Sequence, residues 1–128
     1  MFNNRMMIAA GIVNIEDCAL TVYTSVVSRA EGTRGILDAG SKTLTHDTGA
    51  LNGFGLVLEH PKARIHKMAE EHGFIDISNC ESRPSIGDIL RVIPNHVCVV
   101  INMFNQLVAL RGYYIVDVIS VDARGRLV

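Results

Sequence analysis

Asp88-Ile89-Leu90-Arg91-Val92-Ile93-Pro94-Asn95-His96-Val97-Cys98-Val99-Val100-Ile101-Asn102-Met103 decides the fold class. β-Branched residues crowd the segment, and Pro94-Asn95 interrupts it as a turn does, so it reads as two strands, Asp88 to Ile93 and His96 to Met103. Downstream, Gln106 to Leu110 and Tyr113 to Val121 repeat the pattern, separated by Asn105 and Arg111-Gly112. Together these four runs predict a meander of short strands. Upstream, Ala19 to Ser28 is a long β-rich run that ends at the turn formers Glu31-Gly32-Thr33, and Arg34 to Gly40 follows as its antiparallel partner. Ile8 to Val13 supplies a further candidate strand. Ser41 to Phe54 is dominated by small polar residues and glycine without a sustained period, which predicts a long ordered loop. Ala63 to Gly73 has helical propensity, with Gly73 as the stop. The expected fold is mainly β: a small antiparallel β-barrel or sandwich with at most one short helix, in a single domain spanning residues 1–128.

The chain has 128 residues, 48% of them hydrophobic, enough to bury a core without covalent staples. Its formal net charge is −1 with both signs intermixed, so neither nucleic acid nor an anionic membrane is expected as a partner. Cys18, Cys80 and Cys98 are odd in number and form no Cys-x-x-Cys pair, which points to a reduced, cytoplasmic setting. The apolar run after Met6 is broken by Gly11, Asn14, Glu16 and Asp17, so no signal peptide or membrane span is expected.

His96 and Cys98 carry the chemistry most open to reading. On a strand, side chains at i and i+2 share a face roughly 6.5–7 Å apart, so an imidazole and a thiol lean toward one ion between them. Thiolate with imidazole suits zinc better than manganese or cobalt. Two protein ligands leave positions open for water or substrate, as in a catalytic rather than a structural centre. Spacing alone leaves open a strand-end histidine beside an ordinary buried cysteine.

Asn4-Arg5-Met6, Leu37-Asp38-Ala39-Gly40-Ser41-Lys42-Thr43-Leu44, Gly53-Phe54-Gly55, Glu70-Glu71-His72-Gly73 and Arg91 through Cys98 occur in an order that resembles the D-threonine aldolase and D-serine dehydratase-like family. Val116-Asp117-Val118 and Ala123-Arg124-Gly125-Arg126 also resemble that family's C-terminus. The resemblance implies a C-terminal β-domain whose partner is an N-terminal barrel carrying pyridoxal phosphate on a lysine, a barrel this sequence lacks. It implies a divalent metal, zinc or manganese, at His96 and Cys98 that binds the β-hydroxyl of a D-amino acid substrate. The activity implied is that of a lyase, with Asp38 and Asp47 as candidate catalytic residues and no cofactor-binding residue assigned. Aldolase, dehydratase and racemase-like roles stay open, as does a non-enzymatic metal- or protein-binding domain. Thr45-His46-Asp47 departs from the family pattern, in which small hydroxylic residues precede the aspartate. A domain made to dock on a barrel exposes apolar surface when alone, so a homo-oligomer is expected.

His60, His66 and His72 lack metal-ligand spacing and read as solvent-facing. Lys42 sits in a polar loop rather than the desolvated pocket of a Schiff-base lysine. Gly53-Phe54-Gly55 reads as a turn, and carboxylates near Cys18 and Cys80 argue against a nucleophilic thiolate at either.

Overall fold

The computed structural model describes residues 2–30 and 32–126. In chain order they form α1 (Arg5–Ala9), a single 3-10 turn (Ile15–Asp17), β1 (Val22–Ala30), β2 (Arg34–Leu37), α2 (Ser41–Leu44), β3 (Leu56–Val57), β4 (Arg64–Met68), β5 (Gly73–Asp76), β6 (Ile89–Ile93), α3 (Val97–Ile101), β7 (Gln106–Arg111) and β8 (Tyr114–Ser120). Six strands pair antiparallel in the order β3-β6-β1-β2-β5-β4. The N–H of Phe54, just before β3, donates to the Ile65 carbonyl of β4 at 3.0 Å and ties the two outer strands together. The result is a nearly closed barrel, so the mainly-β, antiparallel expectation holds. Its helices are three short segments, against the one at most that the sequence suggested.

Alternation along β1 shows why the barrel closes. Val22, Thr24 and Val26 are buried while Tyr23 and Val27 face outward, as the two-residue period of a strand requires. Val26 joins Leu37, Val57, Ile65, Ile75, Ile77, Leu90 and Val92 in one core. The β1–β2 hairpin forms as expected, with Ala30 opposite Arg34; Glu31 of its turn lies outside the described residues.

Four sequence expectations are corrected. Residues 8–13 hold no strand: Ile8 lies in α1, whose cap Asn4 accepts a hydrogen bond from the Met7 N–H. Residues 63–73 are not a helix but the β4–β5 hairpin, in which Ile65 pairs with Ile75. Burial of Ile65 and Ile75 outweighs the helical propensity of the intervening charged residues. The third correction is the meander: β6 sits between β3 and β1, while β7 and β8 form a separate two-stranded sheet. Finally, Val97–Ile101 is a helix and not a strand. Val97 and Val100, three residues apart, are 2% and 1% exposed, so tertiary packing turns a β-branched run into a helix with one buried face.

Candidate functional site

The site is built where β6 ends. The first N–H groups of α1 have no partner within their own helix, and those of Arg5 and Met6 donate to the carbonyls of Pro94 and Asn95 at 3.0 and 3.3 Å. This seats the N-terminal segment on the residues before His96. Asn95 is 2% exposed. Its Nδ2 donates to the carbonyls of Asp47, Thr48 and Gly53 at 3.2, 3.2 and 2.8 Å, and its Oδ1 accepts from Arg5 Nη1 at 3.1 Å. Arg5 also reaches the Asn52 carbonyl at 2.9 Å. Asn95 and Arg5 thereby pin the loop carrying Asp47 to the end of β6.

That loop brings Asp47 to His96: Oδ2 lies 2.7 Å from His96 Nδ1. The other oxygen accepts the Gly49 N–H at 2.9 Å. Hydrogen bonding from His96, helped by the Gly49 N–H, holds the Asp47 carboxyl below its ordinary pKa against the opposing effect of burial. With Nδ1 donating to a carboxylate, the neutral imidazole keeps its lone pair on Nε2. The backbone is strained on both sides of Asp47: Thr45 has φ 62° and Ala50 has φ 61°. Such conformations are costly for residues with a Cβ and collect where a site dictates geometry.

His96 is the N-cap of α3, with φ −138°, and its side chain makes no capping hydrogen bond. Cys98 is exposed, at the second position of that helix. The strand geometry that was to bring the pair onto one face is therefore replaced by a different one. Both residues stay at the start of α3, His96 as its cap and Cys98 as its second residue. Among the described residues no group of three or more His, Cys, Asp or Glu is arranged to hold a metal ion.

Asp38 lies elsewhere. Its Oδ1 accepts from Thr24 Oγ1 and the Ser25 N–H, both at 2.7 Å, which clamps the end of β2 to β1. Burial raises its pKa, and the Thr24 and Ser25 hydrogen bonds outweigh that and leave it lowered. A carboxyl depressed in the folded state stabilises the fold above its unfolded pKa, about 3.9, and loses that contribution as pH falls through the folded value. Asp38→Asn is expected to cost about 1 kcal/mol at pH 7, after discount for the solvent exposure of the carboxyl. The gap to wild type should narrow as pH falls below the unfolded value, about 3.9, in urea unfolding followed by circular dichroism. A gap independent of pH would rule out the charged clamp.

Gly40 and Lys42 of the same segment also meet the β4–β5 turn. The Ser41 and Lys42 N–H groups donate to the Ala69 and Glu70 carbonyls at 2.9 and 3.0 Å, and Lys42 Nζ pairs with Glu71 and Glu70 at 2.6 and 3.1 Å. Two sequence segments quoted separately above are thus one contact. His66 and His72 are exposed, and His46 packs edge-on against Phe54, ring centroids 5.6 Å apart. Burial, then Asp17, raises the Cys18 thiol pKa; burial, then Asp76, raises that of Cys80.

A histidine oriented by a carboxylate and, two residues on, an exposed cysteine lie at the end of β6 in a nearly closed β-barrel. Its family is shown by comparison. Residues 19–110 match the family described as "Putative serine dehydratase domain", and the chain belongs to it. An uncharacterized protein of Mycobacterium tuberculosis is 36% identical over 131 residues, covering 98% of both chains. A D-threonine aldolase of Arthrobacter sp is 32% identical over 107 residues, covering 84% of this chain and 27% of that one. Among solved structures, D-threo-3-hydroxyaspartate dehydratase from Delftia sp. HT23 superposes with a TM-score of 0.79 at 26% identity, over 93% of this chain and 36% of that chain. A cysteine-to-alanine mutant of an enzyme of that name, in the metal-free form, gives 0.81 at 26% identity. The chain thus spans roughly a third of the characterised enzymes it resembles. Arg5 and Asn95 were not among the expected site residues, although both lie inside the segments that carried the resemblance.

Proposed function

We propose that His96 and Cys98 hold a divalent metal, zinc or manganese, and that the chain acts as the metal-bearing domain of a pyridoxal-phosphate lyase for D-β-hydroxy amino acids. The observation that carries this reading is the 2.7 Å contact between His96 Nδ1 and Asp47. Histidines that ligate metals commonly donate their second ring nitrogen to a carboxylate, which fixes the ring and makes the ligating nitrogen more basic. The donor set fits a metal: a lone pair on Nε2, an exposed thiol and open coordination positions. Bound there, the ion supplies Lewis acidity toward a substrate hydroxyl. Asp47 serves as the positioning residue, holding the imidazole and its proton on Nδ1. Of the two carboxylates expected to be catalytic, only Asp47 contacts His96, and Asp38 bonds Thr24 and Ser25 of β1. The metal-free form recorded for a cysteine-to-alanine mutant of the dehydratase supports the assignment of Cys98.

Pyridoxal phosphate does not fit this chain. The sequence has three lysines, all exposed. Lys42 pairs with Glu71 and Glu70, Lys62 with Glu81 at 2.8 Å, and Lys67 lies over the Phe74 ring. Glu71 and then Glu70 push the Lys42 pKa up, the opposite of what an amine nucleophile needs. We assign the cofactor, and the substrate contacts made through it, to a separate barrel domain. A second reading is a domain that works without a barrel in its own chain; the mycobacterial protein, matched over 98% of both lengths, favours it.

Zinc titration by calorimetry tests the assignment without an activity assay. The wild type should bind one equivalent, His96→Ala and Cys98→Ala should each lose at least a hundredfold in affinity, and Asp47→Asn about tenfold. Unchanged binding in the folded double variant, or none by wild type at 100-micromolar zinc or manganese, on the order of a weak site's range, would overturn it.

A further inference from the structure

Asn52-Gly53 is the one place in this chain where an asparagine precedes a glycine. Without a Cβ on the following residue, the next backbone nitrogen can approach the asparagine side chain closely. The fold keeps that glycine, because Gly53 has φ 85° and an added Cβ would lie 2.8 Å from the Ile65 carbonyl oxygen. Asn52 is exposed. Among the described residues no acceptor meets the Gly53 N–H, so its proton can pass to solvent.

The surroundings favour reaction between the two residues. Arg5 Nη2 donates to the Asn52 carbonyl at 2.9 Å. That carbonyl and the Gly53 N–H belong to one peptide unit, so a guanidinium on the oxygen stabilises negative charge on the nitrogen. Arg64 Nη1 lies 3.4 Å from Asn52 Oδ1. There it polarises the side-chain carbonyl and faces the oxygen on which charge develops when a nucleophile adds. Its Nη2 is turned to Asp76, at 3.8 Å. One cation thus acts on the nucleophile and another on the electrophile.

We propose that Asn52-Gly53 is a self-modifying site, at which the chain deamidates with the help of Arg5 and Arg64. The Gly53 nitrogen gives its proton to solvent and attacks Asn52 Cγ. A C–N bond forms, the side-chain nitrogen leaves as ammonia, and a cyclic imide closes. Water then opens the ring. Cleavage at Cγ gives aspartate at position 52, and cleavage at the main-chain carbonyl gives isoaspartate; nothing is oxidised or reduced, and water is the only co-reactant. Isoaspartate adds a methylene to the main chain. The Gly53 carbonyl, which accepts from Asn95 Nδ2 at 2.8 Å and Arg5 Nη1 at 3.4 Å, is displaced from those partners, and the loop that aims Asp47 at His96 loosens. This last consequence rests on the metal reading above, whereas deamidation itself needs no metal.

Peptide mapping by mass spectrometry of the full chain aged at neutral pH, with enzymatic methylation to score isoaspartate, follows the reaction. Wild type should lose its side-chain amide at Asn52 before any other asparagine reacts. Arg64→Gln should slow the loss about tenfold, a smaller effect than removing a buried oxyanion-hole donor because Arg64 is exposed. Arg64→Lys should recover part of the rate, and circular dichroism checks that both variants are folded. Asn52 intact after other asparagines have reacted, or a folded Arg64→Gln that reacts as fast as wild type, would overturn the proposal. The isoaspartyl fraction should unfold at lower urea concentration than fresh protein and bind zinc about tenfold more weakly. If it matches fresh protein in both, the link from Asn52 to the loop is overturned.

Discussion

Gly40→Ala is expected to lower the stability of the domain by about 4 kcal/mol and its melting temperature by about 15 °C, measured by differential scanning calorimetry. A Cβ at Gly40 would lie 2.4 Å from the Glu70 carbonyl oxygen, 2.4 Å from the His72 nitrogen and 2.5 Å from the Ala69 carbonyl oxygen. All three are backbone atoms of the β4–β5 turn, so no rotamer change relieves the clash. Relief requires the turn to withdraw, which breaks the bonds from the Ser41 and Lys42 N–H groups to Ala69 and Glu70 and separates Lys42 from its carboxylates. Each backbone bond is worth about 1 kcal/mol and the overpacking itself about 1–3 kcal/mol. Gly112→Ala isolates the other way a glycine is needed. Gly112 has φ 61° with nothing within 4 Å of an added Cβ, so only the left-handed backbone penalty of about 1 kcal/mol applies. Equal melting temperatures for the two variants would show that the β4–β5 turn does not press on Gly40.

The same contact explains what the sequence could and could not disclose. Leu37 through Leu44 and Glu70 through Gly73 carried the resemblance, yet their meeting depends on a barrel that wraps residues some thirty positions apart, and no local pattern encodes that. Mainly-β architecture was legible because alternation in β1 and the β-branched runs at β6 to β8 are local signals. Ala63–Gly73 was misread because its charged residues favour a helix while Ile65 and Ile75, both fully buried, lock it into a hairpin; burial is a tertiary quantity. Val97–Ile101 failed in the opposite direction, since five apolar residues in a row fit either period and only the burial of Val97 and Val100 selects the helix. The strand geometry expected of His96 and Cys98 is replaced by the start of α3, because that run packs as a helix. The partner of His96, Asp47, stood out in sequence only as a candidate carboxylate in a loop stretch that departs from the family pattern, because forty-nine residues separate the two.

The second large effect is expected at Asn95, where stability and the site are coupled. Two N–H bonds of its amide serve the carbonyls of Asp47, Thr48 and Gly53, one of them shared, and the side chain is nearly inaccessible to solvent. Asn95→Ala leaves those carbonyls and the Arg5 guanidinium short of partners in a buried setting. The expected cost is about 3 kcal/mol, and zinc affinity should fall about tenfold as Asp47 loses the anchor that aims it at His96. Asn95→Asp has nearly the same shape and should be worse than alanine, since it turns a donor into a carboxylate oxygen facing three carbonyl oxygens, with only Arg5 to offset the charge. Chemical denaturation alongside zinc calorimetry separates the two consequences. If Asn95→Asp proves the more stable variant, the amide does not donate into the loop, and the route from Asn95 through Asp47 to His96 fails with it.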